Sequence, residues 1–355
     1  ANTTGANNTV AGSFAADANT TGDGLAAFGS ATLGSNTTGD YNSAFGSFSL
    51  TVNTTGTQNT AVGGFALNKN TTASSNTAVG YIALFENTTG TNNTAVGRAA
   101  LQLNTTGGTN TAVGERALNA NTTASDNVAV GNGAMIANTT GTRNTAVGTN
   151  ALDANTTASN NTAIGFLALT ENTTGAFNTA VGSESLLGMT TGTQNVGVGF
   201  ETLQSTTTAD GNTAIGMRVL QANTTGAANT GIGMQALFSN TTASNNTAVG
   251  MNSLVSNTTG ASNVAVGVNA GDAITTGSLN VAIGLEALTA ATTSGENTCV
   301  GGAAGRYIGS GQFNVAIGRS ALHSALSGST GQMTGSNNTA VGFDSLFSNT
   351  SGADN

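Results

Sequence analysis

The residues able to do chemistry are few, and their spacing gives catalysis little to work with. His323 and Cys299 are the only imidazole and the only thiol in 355 residues. No histidine lies close to Cys299 in sequence to generate a thiolate. His323 occupies a variable position beside an irregular stretch, which suits a solvated loop residue. Cys299 stands where neighbouring segments carry alanine, which suits a small buried side chain. The carboxylates, among them Glu115, Asp153, Glu184 and Asp272, are scattered with no recurrent pair. The paired carboxylates of glycosidase-type chemistry are thus missing, and these residues read as surface charges that keep the chain soluble. Gly309-Ser310-Gly311 lacks the strand-to-helix setting of a phosphate loop. The G-G-x-G-x-D calcium repeat of other solenoids does not occur. The expectation is a protein that is not an enzyme, with no cofactor and no metal.

Two polar patterns recur instead. Asn-Thr-Thr, an N-x-T glycosylation acceptor, begins at Asn2, Asn19, Asn36, Asn53, Asn70, Asn87, Asn104, Asn121, Asn138, Asn155 and Asn172, and again at Asn223, Asn240 and Asn257. Asn349 heads an Asn-Thr-Ser variant. Either these asparagines carry glycans, or the string is an unmodified turn. Threonines recur with the same regularity, and stacked threonine ranks could bind ice or carbohydrate; the alternative is that threonine simply suits turns and strands.

Composition limits what can position such residues. Charged residues are 6% of the chain, Gly is 51 of 355, and Pro and Trp are absent. Ordinary soluble domains carry about 25% charged residues. Large apolar side chains are too scarce for a conventional globular core. The formal net charge of −9 leaves no basic stripe for phosphates, which argues against nucleic acid as a partner. No stretch of 18 apolar residues predicts a membrane-inserted helix. A single cysteine offers no intrachain disulfide.

The order of the residues supplies the architecture. The glycine that closes each Asn-Thr-Ala-Val-Gly-like string recurs every 17 residues from Gly12 to Gly318, then after 24 residues at Gly342. The unit is N-T-T-[GA]-x-x-N-T-A-V-G-x-x-A-L-x-x, seen cleanly at 87–103. Position 11 is glycine in all twenty copies, and position 7 is asparagine in all but one, where Leu25 replaces it. Seventeen residues are too few for a helix pair. Alternation around Thr-Ala-Val-Gly predicts one short strand per unit, with Asn-Thr-Thr-Gly turning and Ala-Leu supplying a second strand or extended segment. The predicted fold is all-β, a parallel β-solenoid (β-roll) of about twenty coils. Residues 1–324 form the regular array, 325–331 an inserted loop, and 332–355 the final repeat and the start of the next. Position 10 and position 15, Val96 and Leu101 in the clean copy, are the expected core, narrowed by Ala95 and Ala100. Positions 5, 6, 12, 13, 16 and 17 read as free to vary. Asparagines at positions 1 and 7 are expected in turns and in stacked amide ladders.

Copies such as Asn93-Thr94-Ala95-Val96-Gly97 and Asn161-Thr162-Ala163-Ile164-Gly165 resemble a repeat of bacterial surface and phage tail-fibre proteins. They are also similar to the S-V-A-I-G repeats of trimeric autotransporter (YadA-like) adhesin heads. The resemblance spans essentially the whole chain. It implies a trimeric, left-handed β-roll used as a stalk or adhesive head, outside the cell or on a cell or virion surface, meeting surface glycans or a host receptor. The thin core independently favours burial between copies of the chain, in a homo-oligomer or polymer. One stretch suggests where. Position 12 is mixed early on but uniformly apolar at Phe200, Met217, Met234, Met251, Val268 and Leu285. Stacking would align these six into a stripe about 29 Å long, either an interface or a rank folded over its own coil. The chain starts and stops mid-unit, so a further coil or another protomer is expected to continue the stack.

Overall fold

The computed structural model describes residues 2–323 and 332–355, so the expected loop at 325–331 lies outside the described residues. Two compact units divide the chain, Ala1–Phe177 and Asn178–Asn355. Each is a run of three-residue strands. The first runs from Thr9–Ala11 to Thr162–Ile164, and the second from Thr179–Val181 to Thr339–Val341. Within each unit, neighbouring strands pair in parallel and in register at the repeat period: Thr94 with Thr111, Ala95 with Ala112, Val96 with Val113. The 24-residue step keeps that register, because Val315 pairs with Thr339 and Ile317 with Val341. No helix occurs among the described residues. The parallel β-solenoid is therefore as expected, with one strand per coil.

The core differs from the expectation at position 10. Val96 is only half-buried, while Val62, Ile164 and Ile232 are exposed. Adjacent strand residues face opposite sides, so positions 9 and 10 cannot both point inward. The small residue takes the inside. Ala95, Ala100 and Leu101 are fully buried, as are most of their counterparts, whereas Val10 in the first coil and Leu346 in the last are exposed. Substitutions show what position 9 touches. A Cβ on Gly197, at position 9, would lie 2.7 Å from the Ser185 hydroxyl and 3.2 Å from Leu186 Cδ1. One on Gly231 would lie 2.5 Å from Val219 Cγ1. Where position 9 shrinks to glycine, a larger residue at position 14 fills the space.

The Ala-Leu segment is not a second strand. Positions 13 and 15 adopt left-handed backbone angles, φ +57° at Ala99 and +52° at Leu101. Such angles cost an L-residue roughly 1–2 kcal/mol. They aim the backbone along the stack: the Leu101 N–H donates to the Ala117 carbonyl of the next coil at 2.9 Å, and the Ala99 N–H to Tyr81 of the previous coil at 3.0 Å. Glycine at position 11 is required for two reasons. Its φ, +131° at Gly114, is a conformation essentially reserved for glycine, and an added Cβ would meet the Gly131 carbonyl oxygen at 2.5 Å.

Amides fill the rest of the interior. At position 1, Asn104 Nδ2 donates to Asn87 Oδ1 at 2.8 Å and to the Gly107 carbonyl at 2.9 Å. At position 7, the Asn110 backbone N–H donates to Asn93 Oδ1 at 3.0 Å, and its Nδ2 to the Ala124 carbonyl at 2.8 Å. Each side chain serves its own coil and the next, which satisfies groups that would otherwise be costly to bury. The expected ladders are present, and they lie inside.

Position 5 is less free than it looks. The Thr57 N–H donates to Ser74 Oγ, Gly108 to Ser125, and Thr193 to an oxygen of Asp210. Donor coils thus meet coils bearing Ser or Asp. Position 4 follows a related rule. Ala73, Ala124, Ala158, Ala209 and Ala243 each have glycine at position 4 in the coils before and after. A Cβ on Gly107, next to Ala124, would lie 2.2 Å from the Ala124 carbonyl oxygen.

Candidate interaction surface

The chemistry-bearing residues are not brought together. Among the described residues, no group of three His, Cys, Asp or Glu could hold a metal. Cys299 lies buried at position 9, and burial pushes its thiol up to about 12, so it stays protonated and inert at neutral pH. His323 packs edge-on against Tyr307, with centroids 4.9 Å apart, and stacks on Phe347 at 5.0 Å; it is half-buried and not a freely solvated loop residue. Glu115 pairs with Arg98 along the stack. Glu184 accepts from Gln204 Nε2 at 2.8 Å. Burial raises the Asp153 and Asp272 carboxyls from their ordinary value.

The asparagines of the glycosylation pattern are interior. Asn19, Asn36, Asn53, Asn70, Asn87, Asn104, Asn121, Asn138, Asn155, Asn172, Asn223, Asn240 and Asn257 are all buried. The Nδ2 that a glycan would occupy is engaged in hydrogen bonds, as at Asn104. The folded coil therefore has no room for a sugar on this rank, and the recurrent string is explained by the amide ladder. At the ends, Asn2 is exposed but still accepts from Asn19 Nδ2 at 3.2 Å, and Asn349 is half-buried. Threonine ranks divide similarly. At position 2, Thr105 Oγ1 donates to the Thr122 carbonyl at 2.9 Å, and Thr88 repeats the contact with Thr105. Those hydroxyls are committed to the backbone. The exposed threonines at position 3, such as Thr89 and Thr106, lie on a bend outside the strands.

One outward-facing rank is apolar. Phe200, Met217, Met234, Met251, Val268 and Leu285 are all exposed, from 37% at Val268 to 60% at Leu285. The alternative, that this rank folds over its own coil, is excluded by those exposures. Beside it, across the position-11 glycines, runs a second rank that the sequence reading assigned to the core: Ile215, Ile232, Val266 and Ile283 are exposed as well. The parity of the strand, with Ala at position 9 inside, is the signal that would have found it. In the N-terminal unit, rank 10 carries Phe28 and Phe45, whose rings stack at 5.1 Å and 4°, and Phe48 stacks on Phe65 at 5.1 Å. No described helix is long and apolar enough to cross a membrane. Compared with known proteins, the chain matches no family model and no curated sequence.

Proposed function

We propose that this chain is a structural module of a fibre, shaft or adhesive head at a cell or virion surface, and that it assembles laterally with further copies of itself. One observation carries the reading: the usual partition of side chains is inverted. Amides are buried in ladders, while two parallel ranks of apolar side chains stand in water between residues 200 and 285. Monomers rarely leave a contiguous apolar strip of this kind uncovered. The strip carries no charge, and its rungs repeat at the coil spacing, so a second copy presents rungs at the same interval. The acidic net charge works against nucleic acid as the partner.

The test is a triple variant, Met217→Asp, Met234→Asp and Met251→Asp. These side chains are exposed, so the coils should fold as before, with an unchanged circular dichroism spectrum. Sedimentation should show an oligomer for the wild type and a monomer for the variant. A wild type that stays monomeric up to millimolar concentration, or a variant that assembles as before, refutes the reading.

A further inference from the structure

Rank 12 changes character where the apolar face ends. Leu285 is followed one coil later by Gly302 and one coil after that by Arg319. Gly302 leaves a missing rung: a Cβ built there meets nothing nearer than the Leu285 carbonyl oxygen at 4.0 Å. Around the gap lies a cleft of about 270 Å³, whose lining adds Leu285, Glu286, Arg306, Arg319, Ser320 and His323 to Gly302 and Ala303. Two of the chain's seven Lys and Arg residues and its only histidine therefore share one cleft in a protein of net charge −9.

The lining is held in place. Arg306 Nη1 bonds Glu286 Oε2 at 2.9 Å, and its guanidinium lies 5.5 Å from the centre of the Tyr307 ring. His323 is fixed between Tyr307 and Phe347. Arg319 is exposed and forms no ion pair with a described carboxylate. Of the lining side chains, Glu286 belongs to an earlier coil than Arg306, Arg319 and His323.

We infer that this missing rung is a binding site for one carboxylated sugar residue of the hexuronate class. Arg319 takes the carboxylate through its planar fork. Glu286 accepts from ring hydroxyls, Ser320 offers a further hydroxyl, and Leu285 covers an apolar ring face. A bare anion would gain the arginine but would also meet Glu286 and leave Leu285 uncovered, which disfavours it. A neutral sugar would forgo the charged contact. Leu285 is also the last rung of the apolar face, so the site borders the lateral contact proposed above.

Titration by calorimetry or NMR with glucuronate, glucose and inorganic sulfate tests it, with sedimentation run on the same samples to follow assembly separately. Glucuronate should bind at least about tenfold more tightly than glucose, the difference one charge-assisted bond supplies, and more tightly than sulfate, which keeps the arginine contact but offers Glu286 no hydroxyl and Leu285 no apolar face. Arg319→Gln should lose that preference. Gly302→Leu, which refills the rung without touching a charge, should abolish binding at unchanged thermal stability, whereas Arg116→Gln should leave binding intact. No binding of glucuronate by the wild type overturns the inference. So does equal affinity for sulfate, which would mark a simple anion site, and so does binding that survives Gly302→Leu.

Discussion

Replacing Gly114 with alanine adds one methyl group to a chain already rich in alanine, yet it should be among the most damaging changes available. At φ +131° any side chain is strained, at a cost of about 1–3 kcal/mol. The new Cβ would lie 2.5 Å from the Gly131 carbonyl oxygen, 2.6 Å from its carbon and 3.2 Å from the Asn132 nitrogen. All three are backbone atoms, so relief requires the two coils to separate, and overpacking of that kind costs roughly another 1–3 kcal/mol. A total near 3 kcal/mol corresponds to about a hundredfold rise in local opening. Hydrogen exchange reads it directly. The Gly114 and Gly131 amides, bonded to the Val96 and Val113 carbonyls at 2.8 Å, should exchange about a hundredfold faster, while amides several coils away change little. Gly211→Asn is the control. Its φ is +68°, an added Cβ meets nothing within 4 Å, and Asn92 and Asn160 occupy the same position at +59° and +62°. That variant should be neutral. If Gly114→Ala exchanges within threefold of the wild type, the close approach of the glycine rank does not hold the coils together.

Two coils exchange their core residues, and a double-mutant cycle should expose the trade. Gly271 stands at position 15 and Ile274 at position 1, where leucine and asparagine are usual, and a Cβ on Gly271 would lie 3.0 Å from Ile274 Cδ1. In denaturant unfolding, Ile274→Asn alone should cost about 2–4 kcal/mol and Gly271→Leu alone about 1–3 kcal/mol. The pair together should approach neutrality, in part because the new amide meets Asn257 Oδ1, which is buried without a hydrogen-bond partner; simple additivity of the two losses would refute the trade. Cys299 should ignore a thiol reagent until the chain unfolds. Its folded value, about 12 against an ordinary 9.0, means that the folded state holds the proton more tightly. Its contribution to stability is therefore complete below about pH 9 and is lost as pH rises toward 12. Cys299→Ala, which restores the usual residue, should show a smaller alkaline loss than the wild type when melting temperature is followed against pH; identical profiles would rule this out.

The period, the strand and its parallel register were legible because nineteen uninterrupted glycines force each coil to superpose on the next. The ladders were legible too, since asparagine at two fixed positions has few other uses. The interior was misread at one point: valine looks like core and alanine like filler, but a three-residue strand admits only its middle residue to a channel this narrow. That error hid half of the apolar face. The same blindness made the asparagine string look like a glycan acceptor, because a motif states residue types and not which side of the coil they occupy. The left-handed angles at Ala99 and Leu101 leave no mark in composition, because the inter-coil bonds that sustain them exist only in the stack. The cleft at Gly302 escaped notice because its defining feature is an absent side chain.

The alternation at positions 4 and 5 bears on how such a chain finds its fold. Coils of nearly identical sequence invite slippage, in which one coil is looped out and its neighbours close over the gap with most ladder bonds intact. Skipping the coil of Gly141 would set Ala124 against Ala158, and skipping that of Gly226 would set Ala209 against Ala243, contacts absent from the correctly stacked chain. Either slip also seats the Ser125 or Asp210 backbone amide against a coil chosen to follow a different donor. The small differences between copies thus act as keys cut to their immediate neighbours, and a repeat purified to its consensus would lose them along with its means of counting.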